Sequence, residues 1–424
     1  MRVFKPIDKL MVYRRLSTGK ELVVGQLAQN KQGIYFQYDA HYLQQSHSLS
    51  PFNLAFDASL SKAPAQPHQG LHGAFSDSLP DGWGLLVMDR IFRQHQINPH
   101  QITAMDRLAY IGESGMGALS YRPTSSWKEN ESAWVGLDEL GKQAMQLFDG
   151  EENAVLAALA NTGGSGGARP KALIYRDPKK LMRVSTIAQP NLEPWLIKFT
   201  SKNLLLGHEE GVCEAAYLTM ASLAGIDTPE WQLLNPPEQS QAKAWLAMKR
   251  FDVVGESGRY HMHSLCGLMD ADFRQPSMDY DDVIKVTQVL CNPAAGKQQF
   301  VRAMFNLLAD NQDDHTKNTA FLMDDQGQWQ LSPFYDVTFS PNPHHQHWMS
   351  YGGYGNQPSL KATQQLAAQA NFSSWKQAQQ EIDNILEALG QWEAVAHDLG
   401  VGSDTIALIS KQLNQVYQDN KHLF

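Results

Sequence analysis

Directly after the apolar-periodic run Val301–Ala309, the sequence reads Asn311-Gln312-Asp313-Asp314-His315-Thr316-Lys317-Asn318. Acids, amides, a histidine and a lysine are crowded into this short stretch, and such side chains are seldom buried together. Asp313 and Asn318 stand five positions apart. This spacing is typical of a phosphotransferase catalytic loop, in which an Asp accepts the substrate hydroxyl proton and an Asn holds Mg²⁺. The alternative is a polar loop that simply ends a helix.

A second acid follows at the end of the apolar segment 329–337, which closes on Tyr335-Asp336-Val337. Segments 319–323 and 327–331 flank the turn residues 324–326, a pattern that predicts a β-hairpin. The hairpin would return the chain to the polar loop, so we expect Asp336 to lie near Asp313 and to bind Mg²⁺. The alternative is an acid at a strand end with no ligand.

The glycine-rich run 163–171 is the third candidate element. Glycines let backbone N–H groups approach phosphate oxygens, and Arg169 and Lys171 add positive charge. The run is not a Walker A loop, because Gly-Lys-Ser/Thr is missing. A mobile linker is the alternative.

Lys198 lies inside the apolar segment Trp195–Phe199, which predicts a buried strand. Most such lysines extend from a strand edge to solvent. The alternative is a lysine that binds the ATP phosphates, with Glu214 on the predicted helix 209–223 as its ion-pair partner.

Composition excludes several classes of protein. The chain has 424 residues, 42% of them hydrophobic and 19% charged, with 44 acidic and 35 basic side chains and a formal net charge of −9. These values indicate a globular protein of two or three domains and argue against a broad nucleic-acid-binding surface. No apolar stretch reaches the ~20 residues of a membrane helix. Three widely spaced cysteines and the absence of a signal-peptide pattern predict an intracellular, cytoplasmic protein.

The pattern along the chain predicts a meander of strands at the start, a helix over 137–159, and an almost wholly helical tail over 364–424. A polar stretch near 125–132 predicts a boundary. We therefore expect three units, residues 1–125, 126–252 and 253–424.

One further stretch, His344-His345-Gln346-His347, has the histidine content of a metal-binding site. It predicts a solvated loop instead, because no Cys or acid stands at ligand spacing.

The order of these motifs resembles the HipA family of bacterial toxin serine/threonine kinases. The glycine-rich loop, the strand lysine, Lys249-Arg250-Phe251-Asp252, the 313–318 loop and Tyr335-Asp336 occur in the family's order. Residues 75–84 (FSDSLPDGWG) and 108–118 (LAYIGESGMGA) also look like that family's first domain.

The resemblance implies an α+β, protein-kinase-like bilobal fold with an N-terminal β-rich subdomain and a largely helical C-lobe, and it implies ATP and Mg²⁺ as cofactors. By this resemblance, Asp313 corresponds to the family's catalytic base, and Asn318 and Asp336 correspond to its metal ligands. Glu214 corresponds to the ion-pair partner of the lysine that binds ATP. Asp252 is expected to be structural, and the hinge 249–251 to bind adenine through its backbone. The ATP-binding residues implied are Ser165, Gly166, Gly167, Ala168, Arg169, Lys171, Lys198, Lys249, Arg250, Phe251, His315, Lys317 and Asn318.

The resemblance also implies partners and regulation. Ser165 is the candidate for inhibitory autophosphorylation, although it stands one position closer to Lys171 than the family spacing predicts. The expected partners are a protein substrate, with an aminoacyl-tRNA synthetase as family precedent, and a HipB-like helix-turn-helix antitoxin. Operator DNA would be contacted only through that partner or a local patch, and no membrane is expected. Two alternatives stay open: a nucleotide-binding corepressor and a small-molecule kinase.

Overall fold

A computed structural model gives the fold and describes residues 4–128, 134–151, 158–159, 166–177, 179–237 and 240–424, with the backbone alone for 180–182. The N-terminal domain is built on a five-stranded antiparallel sheet with strand order β4-β3-β2-β1-β5. In β1 every second side chain is buried, Leu10 and Val12 completely, as the predicted meander requires. The strands are β1 (Lys9–Arg15), β2 (Glu21–Asn30), β3 (Gly33–Tyr38), β4 (Ser61–Lys62) and β5 (Leu119–Arg122).

Of the four helices in residues 4–128, three contribute side chains to the apolar core on this sheet, whereas the third in chain order packs into a separate apolar core with Trp195 and Trp245. The last begins at a capping box, in which Thr103 and Asp106 satisfy each other's backbone N–H groups. The helices are α1 (Ala40–Gln45), α2 (Gly73–Ser76), α3 (Gly82–Gln94) and α4 (Ala104–Ile111).

The N-lobe is a six-stranded sheet with strand order β10-β11-β9-β7-β8-β6, and helices of residues 137–148 and 210–223 pack against it. The first helix ends at Phe148 and not at the predicted residue 159. Gly150, with φ +76°, terminates it in the left-handed conformation that favours glycine. The elements are β6 (Trp134–Gly136), α5 (Leu137–Phe148), β7 (Lys171–Asp177), β8 (Lys180–Ser185), β9 (Glu193–Lys198), α6 (Glu210–Leu223), β10 (Trp231–Leu234) and β11 (Trp245–Lys249).

The C-lobe is mainly helical, which confirms the predicted helical tail. Its large apolar core joins the helices to α6 and is centred on residues such as Phe300, Phe305 and Ile382. The helices are α7 (Leu265–Leu268), α8 (Tyr280–Leu290), α9 (Pro293–Leu308), α10 (Leu360–Gln369), α11 (Trp375–Leu389), α12 (Trp392–Asp398) and α13 (Ser403–Asn420).

Short strands complete the C-lobe and carry the predicted hairpin. Phe321 pairs with Leu331 across it, and Gly327 occupies its turn at φ +78°. The strands are β12 (Val253–Val254), β13 (Gly258–Arg259), β14 (His261–Ser264), β15 (Met278–Asp279), β16 (Ala320–Met323), β17 (Trp329–Leu331) and β18 (Met349–Ser350).

A buried polar chain joins the N-terminal domain to β14. His263 Nδ1 lies 2.6 Å from Asp77 Oδ2, and His263 Nε2 lies 3.0 Å from Ser50 Oγ. Asp77 also accepts hydrogen bonds from the backbone N–H and hydroxyl of Ser264. Because unpaired polar groups are costly at this depth, these bonds fix the domain against the C-lobe. No helix in the described part of the chain is long and apolar enough to cross a membrane.

Candidate active site

A cleft between the two lobes gathers most of the residues singled out from the sequence. Its walls come from the N-terminal domain as well as from both lobes, which the sequence motifs did not reveal. The lining residues are Asp77, Leu79, Asp81, Met116, Gly166, Gly167, Lys171, Leu196, Lys198, Met248, Lys249, Arg250, Phe251, Met262, Ser264, His315, Lys317, Asn318, Tyr335 and Asp336.

Lys198 is the charged centre of the cleft. Its Nζ lies 2.5 Å from Glu214 Oε1 and 2.5 Å from Asp336 Oδ1, and its side chain is 6% exposed. Burial disfavours the charged ammonium, but the two carboxylates outweigh burial and raise the pKa of Lys198. The buried lysine is therefore a paired cation and not one that extends to solvent.

The pKa values of the two carboxylates shift in opposite directions, although the same lysine acts to lower both. Burial raises the pKa of Glu214 above its ordinary value, with Lys198 opposing it. Burial acts in the same direction on Asp336, but Lys198, Lys171 and Arg169 together outweigh it and hold the pKa of Asp336 well below its ordinary value. Asp336 is thus an anion at neutral pH, as a metal ligand must be.

Asp336 also has an unusual backbone conformation. Its φ is +56°, in the left-handed region that few residues other than glycine adopt. Neighbouring bonds hold the segment in place: Tyr335 Oη donates to the Lys317 carbonyl over 2.8 Å, and the Phe334 N–H donates to the Asp227 carbonyl. Such conformations cost about 1–3 kcal/mol and persist where the surroundings enforce them, often at functional sites.

The predicted catalytic loop ends in a 3₁₀ turn over Thr316–Asn318. Asn318 Nδ2 donates to the Asp313 carbonyl over 2.8 Å, which fixes the amide beside the acid. The Asp313 side chain is 55% exposed, with His315 Nε2 4.0 Å from its carboxylate. Desolvation by the surrounding protein raises the pKa of Asp313, and the nearby His315 opposes that shift.

The adjacent acid, Asp314, faces the other way. It is buried and accepts hydrogen bonds from Tyr280 Oη at 2.8 Å, from the Trp348 N–H at 2.8 Å and from His347 Nδ1 at 3.1 Å. It thereby fastens the segment that follows Asp336 to the catalytic loop. His344 and His345 are exposed as predicted, but the expectation of a solvated loop is wrong for His347, which is buried against Asp314.

The glycine-rich loop is described from Gly166 onward, so Ser165 lies outside the described residues. Lys171 is buried and its Nζ donates to the Gly166 carbonyl over 2.7 Å. Burial lowers the pKa of Lys171. Beyond Ala168, Arg169 pairs with Glu210 at 3.0 Å, so its guanidinium is held by helix α6.

The N-terminal domain holds this loop through the residues that open α3. Asp81 accepts hydrogen bonds from the Gly167 N–H and, at 2.5 Å, from Lys317 Nζ. The Trp83 N–H donates to the Gly167 carbonyl over 3.0 Å, and Trp83 Nε1 donates to the Lys171 carbonyl over 2.8 Å. The sequence singled out 75–84 only as a family-like motif and not for this role.

Backbone hydrogen bonds to other parts of the protein also fix the predicted hinge, residues 249–251. The Lys249 N–H donates to the Glu230 carbonyl and the Arg250 N–H to the Pro194 carbonyl, so two of the three predicted hinge residues already have protein acceptors for their N–H groups. Arg250 Nη2 lies 2.6 Å from Asp252, whose carboxylate accepts a bond from the Gly117 N–H at 2.7 Å. Asp252 is therefore a buried structural anion.

The donor set fits a magnesium nucleotide. No group of three or more His, Cys, Asp or Glu side chains forms a metal site among the described residues. Mg²⁺ bound with a nucleotide needs only one or two protein oxygens, because phosphates and waters complete its shell. Asp336 and Asn318 carry side-chain oxygens of this kind, and the side chains of Lys171, Lys198 and Lys317 line the same cleft.

Comparisons with known proteins give a consistent picture. The family model for the HipA-like C-terminal domain matches residues 163–393, and the model for the HipA N-terminal domain matches residues 19–122. The solved structure of HipA from Shewanella oneidensis MR-1, in complex with HipB and operator DNA, has a TM-score of 0.68 at 16% identity, covering 97% of this chain and 96% of that one. This likeness confirms the kinase-like bilobal fold with its additional N-terminal domain.

Two further proteins match over part of the chain. The putative kinase Y4dM of Sinorhizobium fredii is 26% identical over 237 residues, 54% of this chain and 53% of that protein, so the match spans about half of each. The proinflammatory kinase CtkA of Helicobacter pylori has a TM-score of 0.38 at 13% identity, covering 56% of this chain and 90% of that one.

Proposed function

This chain belongs to the HipA family, as the two family models show, and on that premise we propose that it is an ATP- and Mg²⁺-dependent serine/threonine protein kinase. The observation that carries the proposal is the position of Lys198 between Glu214 and Asp336, at 2.5 Å from each. This lysine–glutamate pair, with a metal-binding acid beside it, is the arrangement that phosphotransferases of the kinase fold use.

Each residue then has a defined task. Lys198, Lys171 and Lys317 bind and orient the phosphates, and Asn318 and Asp336 would hold Mg²⁺, which supplies charge stabilisation when bound. Asp313 accepts the proton of the acceptor hydroxyl as its oxygen bonds to the γ-phosphorus and the bond to the β–γ bridging oxygen breaks. Most of the rate gain comes from positioning and charge stabilisation.

The exposure of Asp313 supports a protein acceptor. A carboxylate that is 55% exposed leaves room for a loop of another protein, whereas a metabolite kinase would enclose its acceptor. At the hinge, the use of the Lys249 and Arg250 N–H groups by other carbonyls leaves the backbone of Phe251 as the adenine donor in this proposal.

Transfer of ³²P from labelled ATP to proteins of a cell extract tests the activity. Comparing phosphoproteomes of cells that express the wild-type chain or Asp313→Gln then identifies the acceptor. Equal phosphorylation in both would overturn the assignment of Asp313. Transfer to small molecules alone would favour the metabolite kinase instead.

The proposal includes autophosphorylation of Ser165, on the strength of the family resemblance. Phosphopeptide mapping after incubation with ATP should find phosphate between residues 161 and 171, and the Ser165→Ala variant should lack it. Absence of phosphate from this peptide would remove the regulatory part and leave the kinase assignment intact.

A second candidate function is that of a corepressor acting with a helix-turn-helix antitoxin. Both proposed functions would operate in the cytoplasm. The likeness to HipA solved with HipB and operator DNA favours it. Because this chain carries a net charge of −9, we expect DNA contact to come mainly from the partner. Co-purification with a small helix-turn-helix protein, followed by operator binding with and without this chain, tests the proposal.

A further inference from the structure

One carboxylate of the N-terminal domain contacts two phosphate-side elements of the cleft at once. Asp81 accepts the Gly167 N–H of the glycine-rich loop with one oxygen and the Lys317 ammonium of the catalytic loop with the other. These two partners come from different lobes and are 150 residues apart in the chain. The carboxylate therefore fixes the loop that covers the cleft relative to the loop that carries Asp313 and Asn318.

The surroundings of Asp81 enforce this geometry. The Asp81 side chain is 12% exposed and that of Lys317 19%, so water competes weakly for their ion pair. The next residue, Gly82, has φ +41°, and a Cβ there would meet the backbone of Ala168 at 2.7 Å. The N-terminal domain and the glycine-rich loop thus approach as closely as glycine permits.

Lys317 has a second fixed contact. Its Nζ lies 4.4 Å from the centre of the Phe273 ring, in a cation–π arrangement. A free lysine has four rotatable bonds and gives up considerable entropy when it binds one phosphate oxygen. Asp81 and Phe273 together hold the Lys317 ammonium in a fixed position.

We propose that Asp81 is a positioning residue of the active site, which holds Lys317 and the Gly167 backbone in the positions from which they contact the nucleotide phosphates. The N-terminal domain then contributes to catalysis by positioning these two elements. This inference rests on the proposed function for its catalytic readout, although the loop geometry is measurable without catalysis.

The test compares Asp81→Asn with Asp89→Asn as a matched control. Asp89 lies on helix α3, which Asp81 immediately precedes, and pairs with Arg107 at 2.7 Å, away from the cleft lining. We expect Asp81→Asn to lower kcat/KM for ATP by on the order of 10²-fold, the effect of a misplaced reacting group, and to speed amide hydrogen exchange of the 166–171 segment. Asp89→Asn should leave both unchanged.

A double-mutant cycle separates positioning from general damage. If Asp81 acts through Lys317, the double variant Asp81→Asn/Lys317→Gln loses about as much activity as the more impaired single variant. Losses that multiply would show independent roles and overturn the inference.

Two outcomes separate this inference from the proposed function. If the wild-type chain transfers no phosphate, yet Asp81→Asn weakens ATP binding and speeds exchange of the glycine-rich loop, the kinase proposal fails and the positioning role stands. If the wild type transfers phosphate and Asp81→Asn matches it in activity and exchange, the inference is overturned and the kinase proposal stands.

Discussion

Lys198 Nζ lies 2.5 Å from Asp336 Oδ1, although the two residues are 138 positions apart in the chain. The contact brings the proposed ATP lysine onto the proposed metal ligand. The same ammonium also contacts Glu214, so a single buried cation bridges two carboxylates. A cation bound at Asp336 would share the carboxylate with the Lys198 ammonium or displace it. Metal binding would therefore be coupled to the position of the lysine.

Replacing Lys198 should destabilise the protein. The Lys198→Met variant leaves Glu214 and Asp336 facing each other without their shared cation, and breaking a buried pair in this way costs about 3–5 kcal/mol. We expect a loss near the lower figure, because Arg169 lies 4.0 Å from Glu214 and compensates in part. Urea denaturation measures the loss.

The control for this variant is Lys202→Met. Lys202 pairs with Glu151 at the surface, where its side chain is 60% exposed, so its removal should scarcely change the free energy of unfolding. Equal stability of the two variants would contradict the picture of a buried charge centre.

The neighbouring acids Asp313 and Asp314 should have separable effects. Asp313→Asn is expected to reduce phosphoryl transfer by about 10²–10⁴-fold, the usual contribution of a general base, with little change in unfolding, because its side chain is largely exposed. Asp314→Asn should instead lower stability, since its buried carboxylate receives bonds from Tyr280, His347 and Trp348. Kinase assays and thermal unfolding of both variants check this, and an Asp313 variant that unfolds early would refute it.

The stability of the fold should fall in mild acid because of His261. Burial, together with nearby His263 and Arg14, lowers the pKa of His261 to about 3, from its ordinary value of 6.5. Below pH 6.5 the unfolded chain binds a proton that the folded chain refuses, so His261 removes up to about 1.4 kcal/mol of stability per pH unit until pH approaches 3.

Urea denaturation between pH 7 and pH 5 measures this slope. His261→Gln keeps a donor for the Leu49 carbonyl, which His261 Nε2 contacts at 2.9 Å. This variant should reduce the slope of the unfolding free energy against pH by the equivalent of about one bound proton. His397→Gln, at a site 85% exposed, should leave the slope as it is. An unchanged slope in the His261 variant would exclude this residue as its source.

The Gly167→Ala variant should lose affinity for ATP. Gly167 has φ +94°, and an added Cβ would collide with Lys171 Nζ in the cleft. Gly150→Ala is the matched control, because its φ is +76° but nothing lies within 4 Å of the added carbon. Both variants incur backbone strain of about 1 kcal/mol, yet calorimetric titration with ATP should show weaker binding only in Gly167→Ala.

Local sequence patterns predicted the elements that depend on neighbours in the chain. The 319–331 hairpin is present because its turn and its alternating apolar residues are contiguous, and β9 carries Lys198 where the pattern places it. The pairing of Asp81 with Lys317 escaped prediction. Asp81 and Lys317 are 236 positions apart, and no local pattern links an Asp at the start of one helix to a lysine in a distant loop.

Direction of side chains was equally hidden from the sequence. Asp313 and Asp314 are identical in type, and only the packing of Tyr280 and the 347–349 segment decides that Asp314 turns inward. The same packing buries His347, which composition alone made look solvated. Burial at these positions is a property of the assembled C-lobe and not of the short stretch that carries them.

The buried hydrogen-bonded group Ser50–His263–Asp77 shows that triad geometry alone does not identify an enzyme. Its hydroxyl, imidazole and carboxylate stand at hydrolase-triad distances and in hydrolase-triad order, with His263 fully buried and Ser50 at 2% exposure. A geometric template would report a serine hydrolase here. Because Ser50 and His263 are buried, the constellation instead joins the N-terminal domain to β14, and burial distinguishes it from a catalytic triad with an accessible nucleophile.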